Sequence, residues 1–213
     1  AEAGTWVHGA FENLSFVSGQ PKQPLVSLAQ LVREHGVRNG FPGADADPAL
    51  ITALPTILRT PLGPQLGNLR LADIPDAHRL DEMGFDLAIG PGEAWQNHRC
   101  ISGSELAQKL GVPRETSPLP AEYLAQVRTM GFRPLAGYLI GFIDLVFCVP
   151  VEGRPRWFVA DYKTNTLGVR GSGGGPIVQT GPEHYDQTSM AKEIKKKHYY
   201  IQYLLYLVAL HRY

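Results

Sequence analysis

The sequence predicts an α/β domain in which helices flank a central mixed β-sheet. Three observations support this: helical apolar periodicity near both ends of the chain, strand-like alternation over residues 78–90, and two apolar runs within residues 139–163 that suit a hairpin. The 213 residues are enough to bury a core as a single domain spanning 1–213. We expect a fragment of a longer polypeptide, because the chain begins with Ala1 rather than Met and stops inside a predicted helix.

The composition excludes several classes of protein. Lys and Arg together number 20, as do Asp and Glu, so the zero net charge argues against binding nucleic acid through bulk charge but leaves a local basic groove open. No apolar run approaches the roughly 18 residues of a membrane span, so no membrane partner is expected. The two cysteines, Cys100 and Cys148, are too few for a disulfide framework, a four-cysteine zinc site or an iron–sulfur cluster, and they favour a reducing, cytoplasmic compartment. No G-x-x-x-x-G-K-[ST] loop occurs, so a nucleotide-driven motor would lie in other sequence.

The N-terminal third is predicted to be helical. Residues 4–16 form a first helix whose buried face carries apolar residues at i, i+3, i+4 and i+7: Val7, Ala10, Phe11 and Leu14. Residues 24–36 form a second helix that ends at its final glycine. A third helix begins with Asp47 as its cap and Pro48 in the first helical position, and Pro55 breaks or kinks it.

The middle of the chain is predicted to contain a strand and then two helices. The strand covers residues 78–90, with alternating apolar residues at Phe85, Leu87 and Ile89. The helix that follows this strand opens with a capping box of Ser102 and Glu105 and ends at Gly111. The second covers residues 120–131.

The C-terminal part is predicted to contain a loop and one long helix. The Gly-rich residues 168–182 are predicted to be a mobile loop without regular structure. Residues 189–213 form the last helix, in which Gln202 and Tyr206 lie one turn apart beside the buried stripe. That stripe consists of Ile201, Leu204, Leu205 and Val208.

The register of the hairpin follows from its turn. If residues 139–163 fold as an antiparallel hairpin with Glu152 and Gly153 at the turn, the numbers of opposed residues add up to 305. Pro150 then faces Pro155, and neither missing N–H interrupts the ladder deep in the sheet.

The same register opposes two carboxylates. Asp144 faces Asp161 on one side of the sheet, and Lys163, two residues on, shares that side. Close like charges are tolerated if a divalent cation lies between them, and Mg²⁺ prefers such oxygen ligands. The cation would polarise a phosphoryl oxygen, and the lysine would orient water or neutralise developing charge, which suits phosphodiester hydrolysis. The ordinary interpretation, an exposed Asp–Lys ion pair, stays open. We expect the apolar flanks "GFIDLVF" and "WFVADYK" to be buried on both faces, which favours the metal site.

Five segments carry a family resemblance. In chain order they are "GTWVHGAFENLSF", "LDEMGFDL", "GYLIGFIDLVF", "WFVADYKTNTLG" and "QYLLYLVALHRY". Together they resemble the motifs of the C-terminal nuclease domain of exonuclease V beta subunits, the RecB family, within the PD-(D/E)xK nuclease superfamily. The resemblance implies a restriction-endonuclease-like core, with a helical region and insertions in residues 1–135 and the catalytic hairpin and Q-x-x-x-Y helix in residues 136–213. Ile143 stands where the superfamily usually has a proline, which is normal for this branch, and the loop after Asn165 is longer and more Gly-rich than the resemblance leads us to expect.

The resemblance also implies roles for particular residues. The implied metal ligands are His8, Asp144, Asp161 and the backbone carbonyl of Tyr162. Lys163 corresponds to the catalytic lysine, and Glu82 to an acidic residue that the family carries before a strand, with a less defined role. Gln202 and Tyr206 correspond to a motif that lines the active site and holds the DNA strand.

Each of these residues also has an ordinary interpretation. His8 alone would fit a surface histidine, Glu12 a solvated partner of a nearby base, and Gln202 with Tyr206 the polar margin of a core helix. The basic residues 192–198 suit a solvated face or a phosphate-tracking patch. Three tyrosines could stack on bases or simply pack: Tyr199, Tyr200 and Tyr203.

The resemblance implies a Mg²⁺-dependent DNA exonuclease or endonuclease within a helicase–nuclease complex. Its substrate would be single strands from unwound duplex ends, its partners RecC- and RecD-like subunits, and its role double-strand break repair and recombination. The alternative is a catalytically inactive nuclease-like module that binds DNA or acts as a scaffold, although the presence of all four of His8, Asp144, Asp161 and Lys163 argues against it. A structure-specific or RNA-directed nuclease of the same superfamily is a third, weaker interpretation.

Overall fold

The computed structural model of the chain describes residues 2–23, 27–38, 48–89, 102–111, 119–131, 137–171, 175 and 177–213. The chain forms two compact units. The first contains Ala1–Gly84 and Phe142–Thr166, and the second contains Phe85–Gly141 and Leu167–Tyr213. None of the described helices has both the length and the apolar character needed to cross a membrane.

The first unit opens with three helices and a small hairpin. Their bounds are α1 Glu2–Glu12, β1 Leu14–Ser15, β2 Gln20–Pro21, α2 Leu28–Arg38 and α3 Pro48–Arg59, with β1 antiparallel to β2. Helix α1 is shorter than predicted, because the side chain of Asn13 donates to the carbonyl of Gly9 (3.0 Å) at its end. Leu14 therefore lies in β1 instead of the helix, although it is fully buried.

The helix end predicted at Gly36 is wrong, and Pro55 does not break its helix, while the alternative of a kink at Pro55 stays a prediction. Helix α2 continues past Gly36 to Arg38, since a glycine costs a helix only about 1 kcal/mol and need not end it. Helix α3 begins at Pro48 as predicted and continues through Pro55 to Arg59, held by the buried Leu54 and Leu58 on either side of the proline. The predicted cap, Asp47, lies outside the described residues.

A three-stranded antiparallel sheet confirms the predicted α/β class. Its strands are β3 Arg79–Ile89, β4 Gly137–Val151 and β5 Arg154–Ala160, in the order β3-β4-β5. The predicted hairpin register is confirmed from Val151↔Arg154, through Pro150↔Pro155, to Leu145↔Ala160. Glu152 and Gly153 both have positive φ (51° and 76°), as a tight two-residue hairpin turn requires.

The core of the first unit lies between the sheet and the N-terminal helices. Helix residues such as Phe11, Val32 and Leu58 pack in one cluster with Leu145 and Phe147 of β4. The hairpin is buried on both faces only over residues 143–147. The prediction of burial on both faces is wrong for two flanking residues, because the alternation of each strand turns Phe142 and Trp157 outward, where they are 58% and 60% exposed.

The second unit is mainly helical. Its elements are α4 Gly103–Leu110, α5 Ala121–Arg128, β6 Val169–Arg170, β7 Ile177–Gln179, α6 Gln187–Lys196 and α7 Tyr199–Arg212. The capping box at the start of α4 is confirmed, since the N–H of Glu105 donates to the hydroxyl of Ser102 (3.2 Å) and the N–H of Ser102 to the carboxylate of Glu105 (3.0 Å). The helix ends at Gly111, as predicted.

The predicted loop at 168–182 contains an antiparallel hairpin of β6 and β7. Gly168 permits it, because a Cβ at this position would clash with the carbonyl oxygen of Gln179. The absence of regular structure was therefore a wrong prediction for this segment.

The predicted C-terminal helix is two helices, α6 and α7. The helix is interrupted at His198, which has a left-handed φ of 56°. Its Nδ1 lies 3.3 Å from the hydroxyl of the buried Tyr123. The predicted buried stripe is only partly correct. Ile201 and Leu204 pack against the α4–α5 cluster, whereas Leu205 and Val208 are exposed. Tyr206 and Ala209 are the buried residues of α7 instead.

Candidate metal centre

Three potential ligands from distant parts of the chain converge in the first unit. They are His8 on α1, Glu82 on β3 and Asp144 on β4, and one ligand atom of each lies within 4.8 Å of the others. Each ligand is supplied by a different element, so the tertiary packing of α1 against the sheet assembles the group.

Asp144 is the most buried of the three, with 7% of the residue exposed. Its Oδ2 accepts a hydrogen bond from the backbone N–H of Tyr162 (2.7 Å), and its Oδ1 lies 3.4 Å from Nδ1 of His8. Burial raises the pKa of Asp144, and the charge of Asp161 acts in the same direction, while the Tyr162 N–H, His8 and Lys163 oppose the shift. The carboxylate is therefore held in one orientation at a position that penalises its charge.

His8 is oriented by the backbone of the opposite strand. Its Nε2 lies 2.8 Å from the carbonyl oxygen of Tyr162, and because a carbonyl can only accept, Nε2 carries the proton and donates. Its Nδ1 then faces Asp144. The imidazole keeps about a quarter of its surface exposed, so an ion could reach it from solvent.

Glu82 reaches the group through an unusual backbone conformation. Its φ of 49° is left-handed, although it lies within β3 and is not a glycine. Such a conformation costs about 1–2 kcal/mol and turns the side chain out of the ordinary alternation of a strand. Burial raises the pKa of Glu82, and the neighbouring Asp144 adds to the shift. Sequence reasoning left the role of Glu82 open, and the structure places it among the potential ligands.

Asp161 and Lys163 lie close enough to Asp144 for their charges to act on it. The two form an ion pair between Nζ and Oδ2, in which the lysine side chain is about one third exposed. The β4–β5 ladder ends at Ala160, so Asp161 is one residue past the last pair and does not oppose Asp144 within the ladder. The reason is that the next N–H, that of Tyr162, bonds the Asp144 side chain instead of the backbone of β4. Among the described residues, Asp161 is not in the group of three whose ligand atoms lie within 4.8 Å.

Tyr162 packs beneath the group and contacts it through its backbone. Its ring stacks on Phe11 (4.7 Å between centroids) and meets His8 edge-on (5.7 Å). Its hydroxyl is buried and has no hydrogen-bond partner in the described part of the chain. Burial therefore raises the pKa of Tyr162 far above its usual range.

Gln202 and Tyr206 lie in the second unit, on α7. The amide of Gln202 donates to the hydroxyl of Tyr206 (2.7 Å), as their spacing of one turn predicts. The Tyr206 ring meets that of Phe85 edge-on at 6.1 Å between centroids. Their predicted role in holding a DNA strand stays a prediction.

Three charged residues bordering the site carried no recognisable motif. They are Lys22, Arg79 and Asp81. Both cations pair with Asp81, and they also donate to the backbone carbonyls of residues 12 and 14, at and just after the end of α1. Asp81 directly precedes Glu82, but an acidic pair at the start of a strand is too common to indicate a role. Lys22 lies 59 residues earlier in the chain, and only folding brings it to Asp81.

Comparison with known proteins shows that the whole chain is similar to RecB subunits of several bacteria. No family model matches the chain. It is 30% identical over 219 residues to the RecBCD enzyme subunit RecB of Mycobacterium tuberculosis, an alignment that covers 100% of the chain and 18% of that relative. The RecB subunit of Escherichia coli is 30% identical over 213 residues, covering 100% and 15%, and that of Haemophilus influenzae 27% identical over 212 residues, covering 100% and 14%.

The chain is similar along its whole length to a segment of RecB. It spans less than a fifth of the length of these relatives. The RecB resemblance found in the sequence motifs is thus supported for the chain as a segment, while the C-terminal position of that segment stays a prediction.

The chemistry of the convergent residues fits a divalent cation. An imidazole nitrogen and two carboxylates lie within 4.8 Å of one another, a donor set that Mg²⁺ and similar ions accept. The raised pKa of Asp144 and of Glu82 shows that the site penalises their negative charge when no cation compensates it. A divalent cation would relieve this penalty.

Proposed function

We propose that this RecB-like segment is a metal-dependent deoxyribonuclease domain that hydrolyses phosphodiester bonds of DNA. The observation that carries the proposal is the convergence of His8, Glu82 and Asp144 in one group, next to the Asp161–Lys163 pair. An ordinary surface ion pair, the competing interpretation of the Asp-x-Lys sequence, needs neither a buried Asp144 nor a histidine from a remote helix.

His8, Asp144 and Glu82 would hold Mg²⁺, and the family resemblance adds Asp161 and the carbonyl of Tyr162 as further ligands. When bound, the ion supplies Lewis acidity that polarises a phosphoryl oxygen. The chain fixes the ligands before the ion arrives, because the Tyr162 N–H orients Asp144 and the Tyr162 carbonyl orients His8. This preorganisation favours one coordination geometry over the alternatives.

Lys163 is proposed to act on the attacking water and on the charge that develops at phosphorus. Its side chain pairs with Asp161 and is about one third exposed, so a water or a non-bridging oxygen can approach the ammonium. Asp161 would hold the Lys163 ammonium near Asp144, so that the lysine acts next to the metal ligands. Removing such a donor typically costs 10²–10³ in kcat.

The wider role is proposed from the resemblance and from the relatives. The similar proteins are RecB subunits of RecBCD enzymes, so we propose partners similar to RecC and RecD and a cytoplasmic location. The substrate would be single-stranded DNA from unwound duplex ends, in double-strand break repair and recombination. Gln202 and Tyr206 would contact that strand.

The test is degradation of linear single-stranded DNA by the chain with Mg²⁺ and with chelator. Wild type should degrade DNA only with Mg²⁺, Lys163→Met should be slower by about 10²–10³-fold with metal binding retained, and Asp161→Ala should also be impaired. Lys109→Met is the matched control, because Lys109 is an exposed lysine of α4 in the other unit. Equal background from all variants, with DNA binding intact, would instead support the inactive binding or scaffold module. Degradation of RNA alone would support the RNA-directed alternative.

A further inference from the structure

We propose that Lys22 and Asp81 are positioning residues for the metal centre, joining the end of helix α1 to strand β3. The proposal rests on the proposed function, since it concerns how the metal ligands His8 and Glu82 are held. Neither residue is itself a ligand: Lys22 contacts the last residue of the helix that carries His8, and Asp81 directly precedes Glu82.

Lys22 makes two contacts that bridge the elements. Its ammonium donates to the carbonyl oxygen of Glu12, the last residue of α1, at 2.6 Å and to Oδ2 of Asp81 on β3 at 2.6 Å. The carbonyls of the last helical turn lack partners within the helix, and a cation there also interacts favourably with the helix dipole. One side chain therefore satisfies the helix end and ties it to the sheet.

Arg79 forms a second connection between strand β3 and the residues that follow α1. Its Nη2 donates to the carbonyl of Leu14, just after α1, while its Nε lies 3.5 Å from Oδ2 of Asp81. Its guanidinium carbon also lies 3.5 Å from the centroid of the Phe16 ring, and its side chain is 1% exposed. Asp81 is thus shared by two cations, and each of them also bonds a carbonyl of residues 12–14.

The position of these ties explains why they would matter for the site. His8 lies one helical turn before Glu12, and Glu82 directly follows Asp81. A change in the spacing between α1 and β3 therefore alters the separation of the two ligands. Asp81 is only 10% exposed, so the Lys22–Asp81 pair is screened less than a surface ion pair. Indirect partners of metal ligands typically change metal affinity by 10–100-fold.

The test measures the affinity of the chain for Mn²⁺ by calorimetry, with the Mn²⁺ electron paramagnetic resonance spectrum as a second readout. Lys22→Met removes the ammonium but keeps an unbranched stem, and it should weaken Mn²⁺ binding about tenfold or more. Lys22→Arg can donate to both oxygens and should restore most of the affinity. Lys195→Met is the control, because Lys195 is about as exposed as Lys22 and pairs with the exposed Glu122 (3.2 Å) in the second unit, and it should bind Mn²⁺ like wild type.

The outcomes separate this proposal from the proposed function. If wild type binds Mn²⁺ through His8 and folded Lys22→Met binds it equally well, the positioning role is wrong while the metal site stands. If wild type itself binds no Mn²⁺, the proposed function fails first. Should Lys22→Met not fold, Lys22→Gln, which keeps a donor without the charge, takes its place with the same expected loss of affinity.

Discussion

Replacing Asp144 with asparagine should stabilise the metal-free protein while abolishing its stabilisation by metal. Asp144 and Glu82 place carboxylate oxygens within 4.8 Å of each other. Two unit charges at that separation repel by about 1 kcal/mol in water and about 3 kcal/mol at an effective dielectric constant near 20. Asparagine removes this repulsion, keeps an oxygen for the N–H of Tyr162, and offers an N–H to His8.

The sign follows from the raised pKa of Asp144. A carboxyl group whose pKa is higher in the folded than in the unfolded state favours folding below the unfolded pKa and loses that contribution as pH rises through the folded pKa. At a pH well above its raised pKa, the ionised Asp144 therefore opposes folding. Without metal, Asp144→Asn should raise the melting temperature by about 2–4 °C for each kcal/mol of repulsion relieved.

Thermal melts of wild type and Asp144→Asn, with chelator and with saturating Mg²⁺, provide the assay. Mg²⁺ at a hundred times its Kd should stabilise wild type by about 2.7 kcal/mol and the variant hardly at all, so Mg²⁺ should raise the melting temperature of wild type and leave that of the variant almost unchanged. A variant that melts lower than wild type in chelator would show that Asp144 serves mainly as a structural hydrogen-bond acceptor. Equal stabilisation of both proteins by Mg²⁺ would refute its role as a ligand.

Three further predictions follow from the same structure. Burial raises the pKa of Asp144 and Glu82, so both should take up protons at a higher pH than ordinary carboxylates do. The Mg²⁺ affinity measured by calorimetry should therefore fall as the pH is lowered from about 8 to about 5. An unchanged affinity over that range would contradict the shifts. Tyr162→Phe should leave the proposed nuclease activity unchanged. It should leave stability in urea unchanged or raise it by up to about 1 kcal/mol, because it removes a buried hydroxyl that has no partner in the described structure; a large loss of stability would reveal a partner. Phe147→Ala should cost about 3–5 kcal/mol in urea unfolding, because this buried ring stacks on Phe158, and a cost below about 1 kcal/mol would mean that the core is packed differently.

The parts of the fold that local chemistry determines could be predicted from the sequence. The β4–β5 register followed from a two-residue turn and a pair of prolines, Pro150 and Pro155, that suit only one alignment. The start of α4 followed from the capping box of Ser102 and Glu105. In each case residues close in sequence decide the outcome.

Features that depend on tertiary contacts could not be predicted. The break at His198 coincides with a contact to Tyr123, which lies 75 residues earlier in the chain. The hairpin within the Gly-rich segment depends on the close approach of Gly168 to Gln179. Helical periodicity and composition contain no information on either contact.

The candidate site could likewise be predicted from the sequence only in part. The motifs indicated His8, Asp144, Asp161 and Lys163, and the structure brings all four into the first unit. That Glu82 joins the ligand group requires a left-handed residue within a strand, which no pattern of apolar residues predicts.

The central claim is that His8, Asp144 and Glu82 bind one divalent cation beside Lys163. The most direct measurement is a crystal structure of the chain soaked with Mn²⁺, with the ion located by its anomalous scattering. Our account predicts a peak within coordination distance of the His8 imidazole and the Asp144 carboxylate, and its loss in Asp144→Asn. A Mn²⁺ ion bound elsewhere, beyond coordination distance of both His8 and Asp144, would contradict it.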